Sequence, residues 1–334
     1  MHVHYRLILA ALLATLSACS GSGSTGSDAA VTVSESSDSD GGNSGGDSAD
    51  DNGSDEPAGV TTGDVLCDYS DTTLNSQPSL NYTSEASWTC TDSTRELAAN
   101  GIPDHDVGEF PSPANPNTIA EQTVTASLTL LPEESGAGTA QGGPRGTLGW
   151  VLNGVKIDAG TGGTCDDSGT ACTLNGNAGS WSIEALGQTS FDFGTDANNA
   201  HVQPGGAYHY HGMPEGFIAK RGGDSSTMTL IAWAADGFPI YARYGYSVAD
   251  DASSEVRVMQ GSYQLVNAVP GNRPPVDTYP LGTFQQDWEF VEGSGDLDNC
   301  NGRVGVTPEF PDGIYHYYAT DTYPYFQRCV NGTL

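Results

Sequence analysis

The sequence predicts a mainly β fold, either a sandwich or an irregular barrel of short strands, with long Gly-rich loops and disulfide staples. Glycine supplies 44 of the 334 residues. The apolar residues form short runs and nowhere keep a helical period over a dozen residues, so no long amphipathic helix is expected. Of the seven cysteines, six lie beyond Cys19, and an even number favours disulfides in an oxidising compartment.

The N-terminus predicts export. Residues 1–19 combine a basic residue, the apolar run Leu7–Leu16 and small residues before Cys19, which is typical of a secretion signal too short to span a bilayer. Leu16-Ser-Ala-Cys19 has the form of a lipobox and predicts a lipoprotein signal peptide, with lipidation of the Cys19 thiol. A plain signal peptide cut nearby is the alternative. Ser20 favours an outer-membrane lipoprotein, periplasmic or surface-exposed, that meets the membrane through this anchor only.

Residues 20–60 predict a disordered acidic linker of Ser, Gly and Asp, because they contain almost no large apolar side chain to bury. The whole chain carries 42 acidic residues against 11 basic ones, a net charge of −31. Binding to nucleic acid through charge is therefore excluded. No Walker loop or Rossmann fingerprint occurs, so no nucleotide cofactor is expected.

The part expected to fold begins near residue 61. Residues 61–125 predict an irregular N-terminal lobe, in which Glu96–Asn100 is compatible with a helical turn and His105 with an exposed loop histidine. Residues 126–334 form the main predicted domain. Its strands follow from alternating or continuous apolar runs and its turns from Asn-Gly and Asp-Gly pairs. These segments are a strand at Val124–Leu131, a hairpin at Leu148–Ile157 around Asn153-Gly154, short elements at Trp181–Leu186 and Ser190–Phe193, a buried strand at Met228–Ala234, a turn at Asp236–Tyr241, and strands at Ser262–Val266 and Gln286–Val291.

Three of the seven histidines lie in His201–Pro214. If Tyr208–His211 is extended, alternation places His209 and His211 on one face and the tyrosines on the other. Two imidazoles at i and i+2 on a strand are a ready pair of metal ligands.

A second copy of this pattern occurs at Pro311–Tyr318, with Pro, Gly, Tyr, His and Tyr at the offsets that they have in Pro204–His211. Pairing of the two copies would bring His316 to the first pair. The hypothesis is therefore a copper or zinc site made by His209, His211 and His316, with His201 as a fourth ligand.

Four tyrosines and one acid would support those ligands by hydrogen bonding. They are Tyr208, Tyr210, Tyr315, Tyr317 and Asp236. The alternative is a metal-free, hydrogen-bonded layer of Tyr and His that packs two strands together.

Five motifs occur in order along the chain. They are Leu148-Gly-Trp-Val-Leu-Asn-Gly-Val155, Tyr208-His-Tyr-His211, Ala235-Asp-Gly-Phe-Pro-Ile-Tyr241, Leu297-Asp-Asn-Cys-Asn-Gly-Arg303 and Pro311-Asp-Gly-Ile-Tyr-His-Tyr317. Together they resemble, in the expected order, the YHYH family of secreted bacterial proteins. The resemblance covers roughly residues 145–334 and implies membership of that exported family, but no particular reaction.

The six remaining cysteines predict three disulfides. Nearest-neighbour pairing is the expectation among the connectivities that six cysteines allow. None lies in a CxxC motif, which disfavours thiolate zinc and thioredoxin-like redox chemistry. The expected pairs are Cys67–Cys90, Cys165–Cys172 and Cys300–Cys329.

Asp296–Gly302 has the composition of a calcium loop. However, its ligands fall out of the required register, so a turn is predicted there instead.

Three functional hypotheses follow. The first is an exported, lipid-anchored β-domain with a histidine-based transition-metal site, in metal binding or metal-assisted chemistry. The second is a metal-free adhesion or glycan/peptide-binding module, with its protein or glycan partner unspecified. The third is a carboxylate-based hydrolase, whose activity would survive chelators.

Overall fold

The computed structural model describes residues 60–62, 64–78, 80–143 and 146–334. The predicted signal peptide with Cys19, and the predicted linker up to residue 59, lie outside these residues. Val60, assigned above to the end of the linker, belongs to the first strand. Within the described part of the chain, no helix has the length and apolarity needed to cross a membrane.

The predicted mainly β fold is confirmed. Strands hold 32% of the described residues and helices 4%, and the strands form several sheets with no closed barrel among them. The elements are β1 (Val60–Thr62), β2 (Ser70–Asn75), β3 (Tyr82–Cys90), β4 (Thr94–Ala99), β5 (Val124–Thr129), β6 (Glu134–Ala140), β7 (Gly149–Val151), β8 (Lys156–Ile157), β9 (Thr164–Cys165), β10 (Cys172–Thr173), β11 (Trp181–Ser182), β12 (Ala200–Val202), β13 (Tyr208–Tyr210), α1 (Glu215–Lys220), β14 (Leu230–Ala234), β15 (Pro239–Tyr241), β16 (Tyr244–Tyr246), β17 (Val256–Val258), β18 (Tyr263–Leu265), a 3-10 helix (Gln285–Asp287), β19 (Trp288–Phe290), β20 (Gly302–Gly305), β21 (Ile314–Tyr318) and β22 (Cys329–Gly332).

The prediction of an irregular N-terminal lobe is wrong. Strands β1 to β5 form a five-stranded antiparallel meander in chain order. The predicted helical turn at Glu96–Asn100 is also wrong, since residues 94–99 are strand β4. Its residues are good helix formers. However, Arg95 and Leu97 alternate into the core, and Leu97 pairs with Trp88 on one side and Ala126 on the other, so tertiary packing overrides the local propensity.

The main sheet has eight strands in the order β12-β13-β8-β7-β14-β15-β21-β20. All neighbours are antiparallel except β13 with β8 and β15 with β21, which are parallel. Counted from β12 or from β20, the parallel and antiparallel strand pairs therefore follow one another in the same order. The predicted hairpin around Asn153-Gly154 is confirmed as β7–β8, and the Asp236-Gly237 turn joins β14 to β15.

The meander and the main sheet share one apolar core. Trp88, fully buried in the meander, donates its indole N–H to the Leu152 carbonyl at 2.9 Å. The Arg95 guanidinium stacks 3.3 Å from the Trp233 ring centroid. These contacts hold the β7–β8 hairpin, and with it the strands beside β8, against the N-terminal sheet.

The predicted disulfide pairs are all confirmed: Cys67–Cys90, Cys165–Cys172 and Cys300–Cys329. The first joins the end of β3 to the connection between β1 and β2. The second closes a loop in the connection from β8 to β12. The third joins the turn before β20 to the C-terminal strand β22, which pairs with β6.

Gly154 lies at a close contact between the β7–β8 hairpin of the main sheet and the N-terminal meander. Its φ is +80°, and a Cβ added there would collide with the side chain of Ala99 in the meander. We expect Gly154→Ala to lower the free energy of unfolding by about 2–4 kcal/mol, because backbone strain and overpacking add. Chemical denaturation would measure this change. The control is Gly271→Ala, where an added Cβ meets no heavy atom within 4 Å; equal stability of the two variants would contradict the prediction.

Candidate metal centre

A tight hairpin brings the first two histidines together. Strands β12 and β13 are joined through Gly205 and Gly206, whose φ angles of +96° and +88° suit glycine in a turn. The resulting register places His201 directly opposite His209. His211 follows β13, with its backbone N–H bonded to the Asn199 carbonyl at 2.8 Å, and so stays beside the pair.

The three imidazoles form an equilateral cluster. The ring centroids of His201, His209 and His211 lie 4.7 Å apart in each of the three pairs. One ring nitrogen from each histidine lies within 4.8 Å of the other two. The predicted alternation is confirmed, because His209 and His211 share a face of β13 and a cluster.

Backbone carbonyls orient two of the rings. The Nδ1 atom of His201 lies 2.7 Å from the Phe193 carbonyl, and that of His209 lies 3.3 Å from the Ala207 carbonyl. Since a carbonyl only accepts, Nδ1 carries the proton in both rings and Nε2 presents a lone pair. The Nε2 atoms of His201 and His211 are 3.0 Å apart.

The cluster is electrically neutral. Burial, followed by the neighbouring imidazoles, lowers the pKa of His211 well below its usual range, and burial, His201 and Lys156 do the same to the pKa of His209. Burial also lowers the pKa of His201. Among the described residues no carboxylate hydrogen-bonds to any of these rings. Each neutral ring therefore keeps one unprotonated nitrogen near pH 7, which a metal ion can bind without displacing a proton from the ring.

These residues fit a transition-metal ion. Zinc binds imidazole nitrogen at about 2.0–2.1 Å, so tetrahedral ligands are roughly 3.3 Å apart, close to the observed Nε2 separation. Three neutral imidazoles suit zinc or copper. No carboxylate or thiolate of the described part of the chain joins the group, which disfavours calcium and magnesium.

All three histidines line a cavity of about 670 Å³. Most of its other walls come from the connection between β8 and β12 and from residues 114–117. Among the described residues that line it, Asp158 is the one acidic side chain, and no lysine or arginine is present. A second cavity of about 540 Å³ shares Gly160, Thr161, Gly162 and Asn175 with the first. The three histidines therefore face a large cavity whose described lining is mostly uncharged.

Asp158 was not anticipated from the sequence. It follows β8, and its backbone N–H bonds to the Tyr210 carbonyl because β8 runs parallel to β13. One carboxylate oxygen accepts from the Gly143 N–H and the other lies 3.3 Å from Lys156 Nζ. Burial raises the pKa of Asp158, and the Lys156 charge opposes that rise. Only the parallel pairing, which sequence periodicity does not reveal, places this acid at the cavity.

The tyrosines of β13 support the strand rather than the imidazoles, which corrects the predicted role. Tyr208 donates to Asp196 at 2.7 Å, and Tyr210 accepts from the Asn153 amide at 3.1 Å. Both side chains lie on the face opposite the histidines. His105, expected in an exposed loop, is instead half-buried, with Nε2 2.5 Å from the Tyr210 hydroxyl.

The prediction that His316 joins the cluster is wrong. The repeat is present as β21, but β8, β7, β14 and β15 separate β21 from β13, a distance of roughly 24 Å at about 4.8 Å per strand. His316 is buried, with Nδ1 2.9 Å from the Ile314 carbonyl and Nε2 3.0 Å from the Tyr318 hydroxyl.

The residues predicted to support His316 remain with the second copy. Tyr315 donates to Asp298 at 2.9 Å, and Tyr317 donates to Asp236 at 2.5 Å. Asp236 also accepts the Gly332 N–H at 2.9 Å, so it fastens the C-terminal strand to the sheet. The turn predicted at Asp296–Gly302 is confirmed, with Asp298 accepting backbone N–H groups two and four residues later.

Comparison with known proteins gives one match. A family model described as YHYH protein matches residues 125–332, which include the cluster, its cavity walls and both copies of the repeat. No curated protein matches the chain. No solved structure matches it either.

His316 provides a prediction about pH. Burial lowers its pKa from 6.5 to about 4, so the unfolded chain takes up this proton near pH 6.5 and the folded chain does not. The free energy of unfolding is therefore unaffected by this group above pH 6.5, and it falls as the pH drops towards 4, because protonation favours the unfolded chain. In the metal-free protein, His316→Gln should make this decline in unfolding free energy shallower by about 3 kcal/mol. Urea denaturation between pH 4 and 7 would measure it, and parallel curves for the two proteins would contradict it.

Proposed function

The chain belongs to the YHYH protein family, and on that premise we propose that it is an exported protein that binds a copper or zinc ion through His201, His209 and His211. One observation carries this proposal: three neutral imidazoles converge to within 4.8 Å at the wall of a large cavity. The ion would be held by one nitrogen from each ring.

The family and the three disulfides are consistent with an extracytoplasmic protein. We propose further that Cys19 is the lipidated N-terminus of the mature chain and that the protein resides in the outer membrane. The lipobox-like Leu16–Cys19 and the acidic segment after it support this location.

A metal accounts for the cluster better than a packing role does. The tyrosines that would form an aromatic layer with these histidines point to the other face of β13 and bind Asp196 and Asn153. Without an ion, the three buried rings share one nitrogen–nitrogen hydrogen bond, although desolvation of polar groups is costly. An apolar trio would fill the same space at less cost.

The cavity supports metal-assisted chemistry over a storage site closed by protein ligands. A bound ion would supply Lewis acidity or, as copper, redox chemistry at the cavity wall. Asp158 lines the same cavity, and its raised pKa suits a group that takes up and returns a proton. Since no lysine or arginine of the described residues lines the cavity, it fits an uncharged, hydrogen-bonding substrate better than an anion.

We expect the wild-type chain, exported and purified without chelator or an affinity tag, to contain close to one copper or zinc ion. His209→Ala/His211→Ala should reduce this to near zero, because it removes two of three ligands. Elemental analysis would measure the content, with circular dichroism and intact disulfides as evidence of folding. The matched control is His316→Gln, which alters an equally buried histidine of the second copy and should leave the metal content unchanged. Absence of metal from the wild type, even after Cu²⁺ or Zn²⁺ is added, would sink the proposal and favour the metal-free binding module.

The anchor has its own test. We expect Cys19→Ala to move the protein from the membrane fraction to the soluble fraction and to abolish fatty-acid labelling, because the acylated thiol is lost. Ser20→Asp is the companion variant and should stay lipidated while its membrane destination changes. A wild-type protein that is already soluble and unlabelled would argue for a plain signal peptide.

A further inference from the structure

We infer that the main sheet consists of two copies of one metal-binding half, and that in the second copy the guanidinium of Arg303 takes the place of the ion. This inference rests on the proposed function, since it assigns a metal centre to the first copy. It adds a second, converted site, which contains His316.

The two halves have the same topology. The first runs β7, β8, β12, β13 along the chain, and the second runs β14, β15, β20, β21. Each begins with a hairpin, crosses over to a strand at the sheet edge, and returns as a strand that pairs antiparallel with that edge strand and parallel with the second hairpin strand. The halves meet where β7 pairs with β14, with Trp150 opposite Trp233.

Their hairpin turns correspond residue by residue. Asn153 and Asp236 each lie three residues after the matching tryptophan, and each is followed by a glycine with φ near +80° to +89°. Both side chains bind the second tyrosine of the returning strand. Asn153 donates to the Tyr210 hydroxyl at 3.1 Å, and Asp236 accepts from the Tyr317 hydroxyl at 2.5 Å.

The loops before the edge strands also correspond. Asp196 accepts backbone N–H groups two and four residues later at 2.9 and 3.3 Å, and Asp298 does so at 2.9 and 2.9 Å. Each aspartate also accepts the first tyrosine hydroxyl of the returning strand, from Tyr208 at 2.7 Å and Tyr315 at 2.9 Å. Three residues after each aspartate stands an asparagine with positive φ, 55° and 61°. This supporting framework is therefore common to both halves.

The two halves differ at the positions of the histidine cluster. The cross-strand pair His201–His209 corresponds to Arg303–His316, and His211 corresponds to Tyr318. The middle histidine is kept, with Nδ1 held in both halves by the carbonyl two residues earlier. In the second half, Arg303 therefore replaces the ligand His201, and Tyr318 replaces the ligand His211.

In the second half, protein atoms occupy the place where the rings would converge. The Tyr318 hydroxyl lies 3.0 Å from His316 Nε2 and 3.2 Å from Arg303 Nη2. The guanidinium also donates to the Tyr246 carbonyl at 2.7 Å. One fixed positive charge therefore lies where the first half would place a metal ion, and it needs no supply of metal.

The two sites also differ in how accessible they are. In the first half, a cavity lies in front of the histidine cluster, and the connection from β8 to β12 forms part of its wall. In the second half Gly245 of β16 packs onto the Tyr318 ring so closely that an added Cβ would overlap it, and both His316 and Tyr318 are fully buried. The first site is thus open to a substrate, while the second serves the fold.

The test converts the second site back. In the full chain, Arg303→His/Tyr318→His should restore three imidazoles and raise the Zn²⁺ or Cu²⁺ content, after loading and gel filtration, from one to two ions per chain. The reciprocal His201→Arg/His211→Tyr should fold with intact disulfides and bind no ion. Elemental analysis gives both numbers, and visible absorption of Co²⁺-loaded protein reports whether the new site has nitrogen ligands.

The outcomes separate the two claims. If the wild type binds one ion and the folded Arg303→His/Tyr318→His protein also binds one, the inference is overturned and the proposed function stands. If the wild type binds none, the proposed function fails, and the inference fails with it. Should Arg303→His/Tyr318→His not fold, the reciprocal variant decides: a folded, metal-free protein supports the exchange of ion for guanidinium, and an unfolded one overturns it.

Discussion

The alternation of side chains along β13 is the constraint on which the site depends. Tyr208 and Tyr210 are held on one face by hydrogen bonds to Asp196 and Asn153. A slip of one residue would break both bonds and send two tyrosines into the cavity, because the side-chain period of a strand is two. The tyrosines thus fix the register, and the register places His209 and His211 on the face that meets His201. The motif therefore combines two tyrosines that anchor the strand with two histidines that join the cluster, and its four ring side chains are not equivalent.

The second copy of the motif separates these two roles. Tyr315 and Tyr317 bind Asp298 and Asp236 as their counterparts do in the first copy, although no histidine cluster lies behind them. The Tyr–Asp and Tyr–Asn bonds are therefore part of the framework of the sheet, and the residues on the opposite face are free to differ. Buried hydrogen bonds of this kind specify one register because an unpaired partner would be costly.

Burial makes the first cluster chemically useful as well as costly. The rings are held neutral because desolvation and their mutual repulsion disfavour protonation. Each ring therefore keeps one unprotonated nitrogen near neutral pH, and one nitrogen from each ring lies within 4.8 Å of the other two. Asp158 reaches the same cavity from β8 only because β8 and β13 run parallel. An acid and three neutral imidazoles around one cavity are a combination that suits metal-assisted chemistry, and each comes from a different strand or strand end.

The sequence by itself was enough to predict the local features of this protein: its β class, the Asn153-Gly154 hairpin, the faces of Tyr208–His211 and the pairing of cysteines near in sequence. These depend on side-chain period, turn chemistry and short loops, which are properties of neighbouring residues. Only the tertiary structure decided which strands lie side by side. The repeat suggested that His316 would join His209, but four strands separate them, and the helix-forming residues of β4 became a strand because partners on both sides bury Leu97. Strand order and burial depend on contacts between distant residues, and a local pattern does not record those contacts.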